Sequence, residues 1–298
     1  DNGAEMMSAN AYLGAGPIAS ALEIGADIII TGRVADASLL VGCMLHSAGW
    51  AYNAFQLGLT RESPVVDWAP KHITNPLDIL AQWTIAGHLI ECGAQVCGGN
   101  YSNWDEVPNL ATLTLPIAEI YVNSDVKITR GQGGDGMVNR KIVAEQLIYE
   151  IGDPEAYITP DVVVDMRNIT IEDESEDVVI VTGAIGNPEP KSLKVSAAVE
   201  GGWFASSSLL ISGPDALARA TACDLALRAR LSALEELEIY TEFIGGGVTL
   251  PKNIRLQLSP LLNPPEVLLR WAVTSPNRRN ITDFTREVAP LVLTGPAG

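Results

Sequence analysis

The run of residues 26–31, Ala-Asp-Ile-Ile-Ile-Thr, constrains the fold more strongly than any other stretch of this chain. Three successive isoleucines in a short run near glycines are typical of a buried strand in a parallel sheet. Pro17 suits the first turn of a helix before the run and Gly25 suits its end, while residues 37–47 have the pattern of a second helix. The order helix, strand, loop and helix predicts an α/β fold, with a largely parallel sheet flanked by helices.

The pattern along the rest of the chain predicts two domains. Asn75-Pro76 and Asn139 are good starts for further helices, and residues 94–97 resemble a strand that ends at a glycine pair. Beyond residue 160 short β-branched runs dominate, and the acidic stretch 172–177 suits the turn of a hairpin. We therefore expect an α/β domain over residues 1–160 and a β-rich α+β domain over residues 161–298.

The composition excludes several classes of protein. A net charge of -17, from 36 acidic and 19 basic residues, repels a phosphate backbone, so no nucleic-acid partner is expected. The four cysteines form no evident disulfide framework, and no apolar run reaches the roughly 20 residues that span a bilayer. We expect a soluble, cytoplasmic protein without a membrane partner. The chain begins without methionine and ends on a turn signal, which suggests a fragment of a longer protein.

The first candidate site follows the isoleucine run. In open α/β sheets ligands bind beyond the carboxyl ends of the strands, and Arg33, Asp36 and Ser38 are predicted to lie there. Arg33 could hold a carboxylate or phosphate by two parallel hydrogen bonds, with Ser38 as a second substrate-binding residue and Asp36 as a catalytic one. The alternative is that Asp36 caps the next helix and pairs with Arg33.

The second candidate site surrounds His88. Glu91 follows it by three residues and shares its helix face, so the pair could transfer protons, with Gly98 and Gly99 allowing a ligand close to the backbone. The alternative is a structural histidine in the core. Cys92 and Cys97 have four residues between them and no second cysteine pair, which is a weak metal pattern, so no metal ligands are assigned.

The third candidate site is a glycine-rich loop before the helix at Asn139. Glycines ahead of a helix N-terminus can cradle an anion, and basic side chains add positive charge to this stretch of an acidic chain. The spacing matches neither the P-loop nor the dinucleotide-binding pattern. We predict substrate binding by four residues of this loop, and the alternative is a flexible surface loop. The four residues are Arg130, Gly133, Gly134 and Gly136.

Three regions together resemble the acyclic terpene utilisation (AtuA) family. They are residues 9–38, with ANAYLGA and GRVADAS, residues 86–95, AGHLIECGAQ, and residues 145–151, EQLIYEI, followed by Asp153-Pro154. The resemblance extends over nearly the whole chain. It implies an enzyme that acts on a branched acyl-CoA thioester or a related carboxylate in acyclic terpene breakdown, by a step of lyase or hydratase type.

The enzyme hypothesis places all three candidate sites in one pocket, with His88, Glu91 and Asp36 catalytic. Coenzyme A would enter as part of the substrate, and the resemblance defines no other cofactor. The expected partners are a small-molecule substrate and further copies of the chain in a homo-oligomer. Two alternatives stay open: a non-catalytic subunit or oligomeric scaffold, and a metal-dependent hydrolase that uses the same three residues.

Overall fold

The chain divides into two compact units. The computed structural model describes residues 5–50, 75–121, 125–254 and 264–296. The larger unit is Ser8–Ala197, and the smaller unit combines Asp1–Met7 with Ala198–Gly298. The predicted domain boundary at residue 160 therefore falls inside the larger unit. Among the described residues, no helix is both long and apolar enough to cross a membrane.

The larger unit is built from helices and short strands. Its helices are α1 (Gly16–Glu23), α2 (Asp36–Ser47), α3 (Pro76–Ile90) and α4 (Arg140–Ile148). Its strands are β2 (Pro116–Ile120), β3 (Val126–Arg130), β4 (Tyr157–Ile158), β5 (Val163–Asp165), β6 (Thr170–Ser175), β7 (Val178–Thr182) and β8 (Ile185–Asn187). Strands β1 (Met6–Ala11) and β9 (Val195–Val199) pair with each other, and the division between the units falls within both.

The prediction of a largely parallel sheet is wrong. Two sheets of the larger unit, in the orders β2-β3-β7-β6 and β4-β5-β8, contain only antiparallel pairs. The isoleucine run at residues 26–31 is not a strand: Ile28 is 83% exposed and Ile30 93% exposed. A β-branched run becomes a strand only when another strand pairs with it, and no described strand lies beside this one. Just after this run, Val34 forms an isolated parallel bridge with Leu13.

The strand predicted at residues 94–97 is also wrong. Residues Gln95–Cys97 form one turn of 3-10 helix. Cys92, Gly93 and Gly98 all have positive φ angles, at 59°, 63° and 102°, and these turn the backbone on both sides of the short helix. The segment therefore reverses direction instead of extending into a sheet.

Helix α3 is the centre of the larger unit's core. Its side chains from Pro76 to Leu89 are buried all round except at Asp78, as expected for a helix that is apolar on every face. The predicted caps are confirmed: Asn75 accepts the backbone N–H of Leu77 at 3.0 Å, and Asn139 caps α4 in the same way. The predicted hairpin is confirmed as β6 and β7. The predicted turn at residues 172–177 is too long, because residues 172–175 belong to β6 and only Glu176 and Asp177 form the turn.

The smaller unit is a three-stranded antiparallel sheet with helices packed on it. The strands β10 (Trp203–Ser212), β11 (Glu238–Ile244) and β12 (Glu266–Ser275) lie in the order β10-β12-β11. Helices α5 (Ala216–Leu231), α6 (Arg278–Val288) and α7 (Leu291–Thr294) contribute to the second core with the fully buried Trp271. The indole N–H of Trp271 donates to Asp224 of α5 at 2.9 Å, so the helix and the sheet are joined by a partly buried polar contact.

Candidate active site

A cavity of about 290 Å³ in the larger unit brings the three predicted catalytic residues together. Asp36 is the first residue of α2, His88 lies in the last turn of α3, and Glu91 follows that helix directly. The rest of the wall is formed by Tyr12, Ala35, the segments 149–151 and 157–160, Pro190 and residues 192–194. The cavity is thus lined by residues that are far apart in the chain, and it contains the acid and base groups that the sequence suggested.

His88 is held in one orientation inside this cavity. Its residue is only 4% exposed, and its Nε2 lies 3.2 Å from the carbonyl oxygen of Leu147. Because a carbonyl oxygen can only accept, the neutral ring carries its proton on Nε2 and leaves Nδ1 as an acceptor. The side-chain N–H of Gln146 donates to the His88 carbonyl oxygen at 3.1 Å, which ties the end of α3 to α4.

The close packing of α2 against α3 requires glycine at position 87, just before His88. A side-chain carbon at Gly87 would lie 2.5 Å from the carbonyl oxygen of Ala37, so only glycine allows α2 to approach α3 this closely. The same approach brings Asp36, at the start of α2, to the cavity that His88 lines. The close helix crossing therefore places the base and the carboxylate of α2 in one cavity.

The environment of His88 favours its neutral form. Burial lowers the pKa of His88, and this outweighs the opposite effect of the Glu91 carboxylate on the same pKa. The His88 Nδ1 atom and Glu91 Oε1 are 3.9 Å apart, which is too long for a hydrogen bond. Nδ1 therefore has an unshared electron pair beside a carboxylate, and a proton that arrives there would be stabilised by that negative charge.

Tyr157 in the cavity and the exposed Cys92 next to Glu91 both keep their protons. Burial raises the pKa of Tyr157, and the carboxylates of Glu91, Asp36 and Glu150 raise it further. Its ring centre lies 5.3 Å from that of His88, so a protonated phenol is present beside the imidazole. Desolvation and a hydrogen bond to Glu91 raise the pKa of the Cys92 thiol to about 11. Cys92 is thus a poor nucleophile at neutral pH, because the thiolate is the reactive form.

The other two predicted residues of the first site differ in burial: Arg33 is exposed and Ser38 is buried. Arg33 is exposed in a shallow depression that shares Asp36 with the main cavity. It makes no ion pair with Asp36 and donates instead to the Tyr12 hydroxyl at 3.3 Å. Ser38 is fully buried, and its hydroxyl donates to the Asp161 carboxylate at 2.5 Å, so its role here is structural.

Asp161 is a residue of this region that the sequence did not indicate. It is 6% exposed, and its second carboxylate oxygen accepts the backbone N–H of Ala15 at 2.7 Å. The carboxylate thus joins the start of α1, helix α2 and the 157–160 wall of the cavity. A side-chain carbon at Gly14 would overlap the Asp161 carboxylate, so glycine is needed there. No local pattern could have found this contact, because Asp161 is 123 and 146 residues from its two partners.

The predicted glycine loop does not reach the cavity. Among the described residues that line it, none belongs to 130–136. The Arg130 side chain pairs with Asp177 at 2.6 Å and donates to the Gly134 carbonyl oxygen at 2.9 Å. A side-chain carbon at Gly134 would lie 2.5 Å from the Thr112 carbonyl oxygen, and one at Gly136 would lie 2.9 Å from that of Cys97. The backbone of this loop is packed against protein, and Gly133, with φ +88°, turns it.

The three candidate sites therefore do not form one pocket as the enzyme hypothesis required. Residues from the first two line the main cavity, and the third is a packed structural loop. Gly98 is also a packing position, because a side-chain carbon there would lie 2.9 Å from Val107, while Gly99 lines a second cavity of about 380 Å³. No group of three or more His, Cys, Asp or Glu residues suited to a metal ion occurs in the part of the chain that the structure describes.

The fold and the cavity together define a mixed α/β protein with a neutral, buried histidine among three carboxylates and three tyrosines. The chain matches the family model described as acyclic terpene utilisation family protein AtuA over residues 1–58 and 67–298, and it belongs to that family. The family placement made from the sequence is thereby confirmed. No curated protein and no solved structure matches the chain detectably.

Proposed function

We propose that this member of the AtuA family is an enzyme of acyclic terpene breakdown that moves a proton on a branched acyl-CoA thioester or a related carboxylate. The observation that carries the proposal is the state of His88. Its Nε2–H is engaged by the Leu147 carbonyl oxygen, its pKa is lowered by burial, and Nδ1 is left as an acceptor beside Glu91. These are the properties of a general base that operates near neutral pH.

The chemistry needs few steps. His88 Nδ1 takes a proton from the carbon next to the acyl carbonyl, and the electron pair of the broken C–H bond moves into the carbonyl as an enolate. Loss of a β-substituent from that enolate completes a lyase step, and the reverse of an elimination of water is a hydration. Glu91 stabilises the imidazolium that forms, and the protonated Tyr157 supplies a hydrogen-bond donor within the same cavity.

The shape of the cavity is compatible with a small branched chain. Its volume of about 290 Å³ is at the lower end of the range for ligand sites, and Ile151, Ile158 and Leu193 supply apolar lining. A long cofactor tail would have to extend out of it, so the acyl end is the part that we place inside.

Hydrogen–deuterium exchange at the α-carbon tests this function without knowledge of the full reaction. In D₂O we expect the protein to exchange the α-protons of 3-methylbutanoyl-CoA faster than buffer or heat-denatured protein does. Proton NMR measures the exchange. Butanoyl-CoA and free 3-methylbutanoate serve as comparison substrates. Absence of catalysed exchange on all three would contradict the proposal and favour the non-catalytic subunit.

A further inference from the structure

We infer that Arg33, Lys194 and Tyr12 form an oxyanion-binding subsite at one side of the His88 cavity, which takes a carboxylate or phosphate group of the ligand. The inference deepens the proposed function, on which it rests for the position of the reacting end of the ligand. It assigns a role to Tyr12 and Lys194, which the sequence did not single out. The evidence is the arrangement of two cations on one aromatic ring.

The side-chain cations of Arg33 and Lys194 both lie over the aromatic ring of Tyr12. The Arg33 guanidinium carbon is 5.1 Å from the centre of the Tyr12 ring, and the Lys194 Nζ is 4.8 Å from it. The two positive charges are therefore at most about 10 Å apart, which is roughly one Debye length, so salt screens only part of their repulsion. The faces of the ring attract both cations, but the ring has no net charge to offset their repulsion.

The backbone fixes this arrangement. The Tyr12 N–H donates to the Lys194 carbonyl oxygen at 2.9 Å, and the Leu13 N–H donates to the Arg33 carbonyl oxygen at 3.1 Å. Ala35 in turn donates to Leu13 at 3.0 Å, which completes the parallel bridge between Leu13 and Val34. Tyr12 is thus held between the two segments that bring the cations, so their meeting does not depend on side-chain flexibility alone.

The two cations are free to bind an anion. Among the described residues neither Arg33 nor Lys194 makes an ion pair with a carboxylate, although the whole chain carries a net charge of -17. Guanidinium and ammonium groups are the usual protein donors to carboxylate and phosphate oxygens. An oxyanion bound here would satisfy both cations and accept hydrogen bonds from them.

The charges of the cavity orient such a ligand. Glu91 and Glu150 line the cavity close to His88. Tyr12 and Lys194 line the same cavity, Arg33 lies in the adjoining depression, and Asp36 borders both. The Glu91 and Glu150 carboxylates repel an anion from His88, and the two cations attract it to Tyr12. A ligand with one anionic group therefore binds with its uncharged, reactive part towards His88.

Isothermal titration calorimetry on the purified chain tests the subsite with three probes. They are 3-methylbutanoate, its neutral amide 3-methylbutanamide, and adenosine 3′,5′-bisphosphate, which represents the phosphates of coenzyme A. We expect at least one anionic probe to bind at least about tenfold more tightly than the amide, and its affinity to fall as salt rises. The probe that binds more tightly distinguishes a carboxylate from a phosphate ligand. If neither anion binds more tightly than the amide, the subsite does not exist.

Matched variants locate the binding. Arg33→Met and Lys194→Met are each expected to weaken the anionic probe about tenfold or more while leaving the amide unchanged. Lys191→Met removes the same charge three residues from Lys194, outside the residues that line the cavity, and is expected to have little effect. Equal losses from all three variants, or none from Arg33→Met and Lys194→Met, would overturn the assignment. Melting temperatures check that each variant is folded.

A histidine variant separates this inference from the proposed function. His88→Gln is expected to bind the anionic probe as the wild type does, because His88 lies at the opposite end of the proposed ligand. Probe binding that depends on Arg33 and Lys194, without catalysed α-proton exchange, would leave the subsite standing and reject the enzyme. Catalysed α-proton exchange, together with probe binding that does not depend on Arg33 and Lys194, would support the enzyme and reject the subsite.

Discussion

His88→Gln is expected to reduce α-proton exchange by about 10²–10⁴-fold, the usual contribution of a general base. Glutamine can still donate an N–H to the Leu147 carbonyl oxygen, which in the wild type accepts from Nε2 at 3.2 Å. It lacks the basic nitrogen that histidine presents as Nδ1. The substitution therefore removes the proposed chemistry and keeps the contact that orients the side chain. The rate is measured by the loss of the α-proton NMR signal in D₂O.

The pH dependence and a second histidine make this test specific. Burial lowers the pKa of His88, so the base stays neutral and active until the pH falls below the ordinary histidine pKa of roughly 6.5. We expect the wild-type rate to decline only below that pH, and the residual rate of His88→Gln to lack this decline. His46→Gln, in the last turn of α2, is the control and should retain the rate. A fully active His88→Gln would remove His88 from the mechanism.

Asp161→Ala is expected to destabilise the larger unit by about 2–4 kcal/mol, since it leaves two buried donors without their acceptor. The donors are the Ala15 N–H and the Ser38 hydroxyl, which bind separate oxygens of one carboxylate. Asp161→Asn is the matched control, because its amide can accept from Ala15 and donate to Ser38, and it should cost less than the alanine. Urea denaturation of the variants measures the difference. An alanine variant as stable as the asparagine variant would contradict this role.

The pH dependence of stability gives a second check on Asp161. Burial raises the pKa of this carboxyl in the folded protein above the unfolded value of roughly 3.9. The folded state thus binds the proton more tightly, and the associated stabilisation is lost as the pH rises through the folded pKa. The free energy of unfolding of the wild type, relative to Asp161→Asn, should therefore increase as the pH falls into that window.

Local patterns in the sequence predicted the helices well and the sheets poorly. The cap at Asn75, proline after it and an apolar run are all local signals, and α3 forms where they lie. The direction of a sheet depends instead on which distant strands pair. The isoleucine run at residues 26–31 carries a strong strand propensity, but no described strand pairs with it, and Ile28 and Ile30 remain exposed. Propensity alone therefore gave the wrong architecture for the first half.

Only part of the candidate site could be predicted from the sequence, because only some of its contacts are local. Glu91 follows His88 by three residues, so their proximity is a consequence of helix geometry that the sequence contains. Arg130 and Ser38 were assigned to a ligand because arginine and serine beside glycine or strand ends often bind one. Their carboxylate partners, Asp177 and Asp161, are 47 and 123 residues away and could not be inferred from local spacing. The same limit hid Tyr12 and Lys194, which meet only in the folded chain.

The most direct test of the central claim, that His88 is a neutral base held in one tautomer, is ¹⁵N NMR of the labelled imidazole nitrogens at pH 7. The chain has three histidines, and loss of one signal set in His88→Gln assigns the resonances. We expect His88 Nε2 to carry the proton and Nδ1 to be unprotonated, as the Leu147 carbonyl oxygen requires. A charged ring, or a neutral ring with its proton on Nδ1, would contradict it.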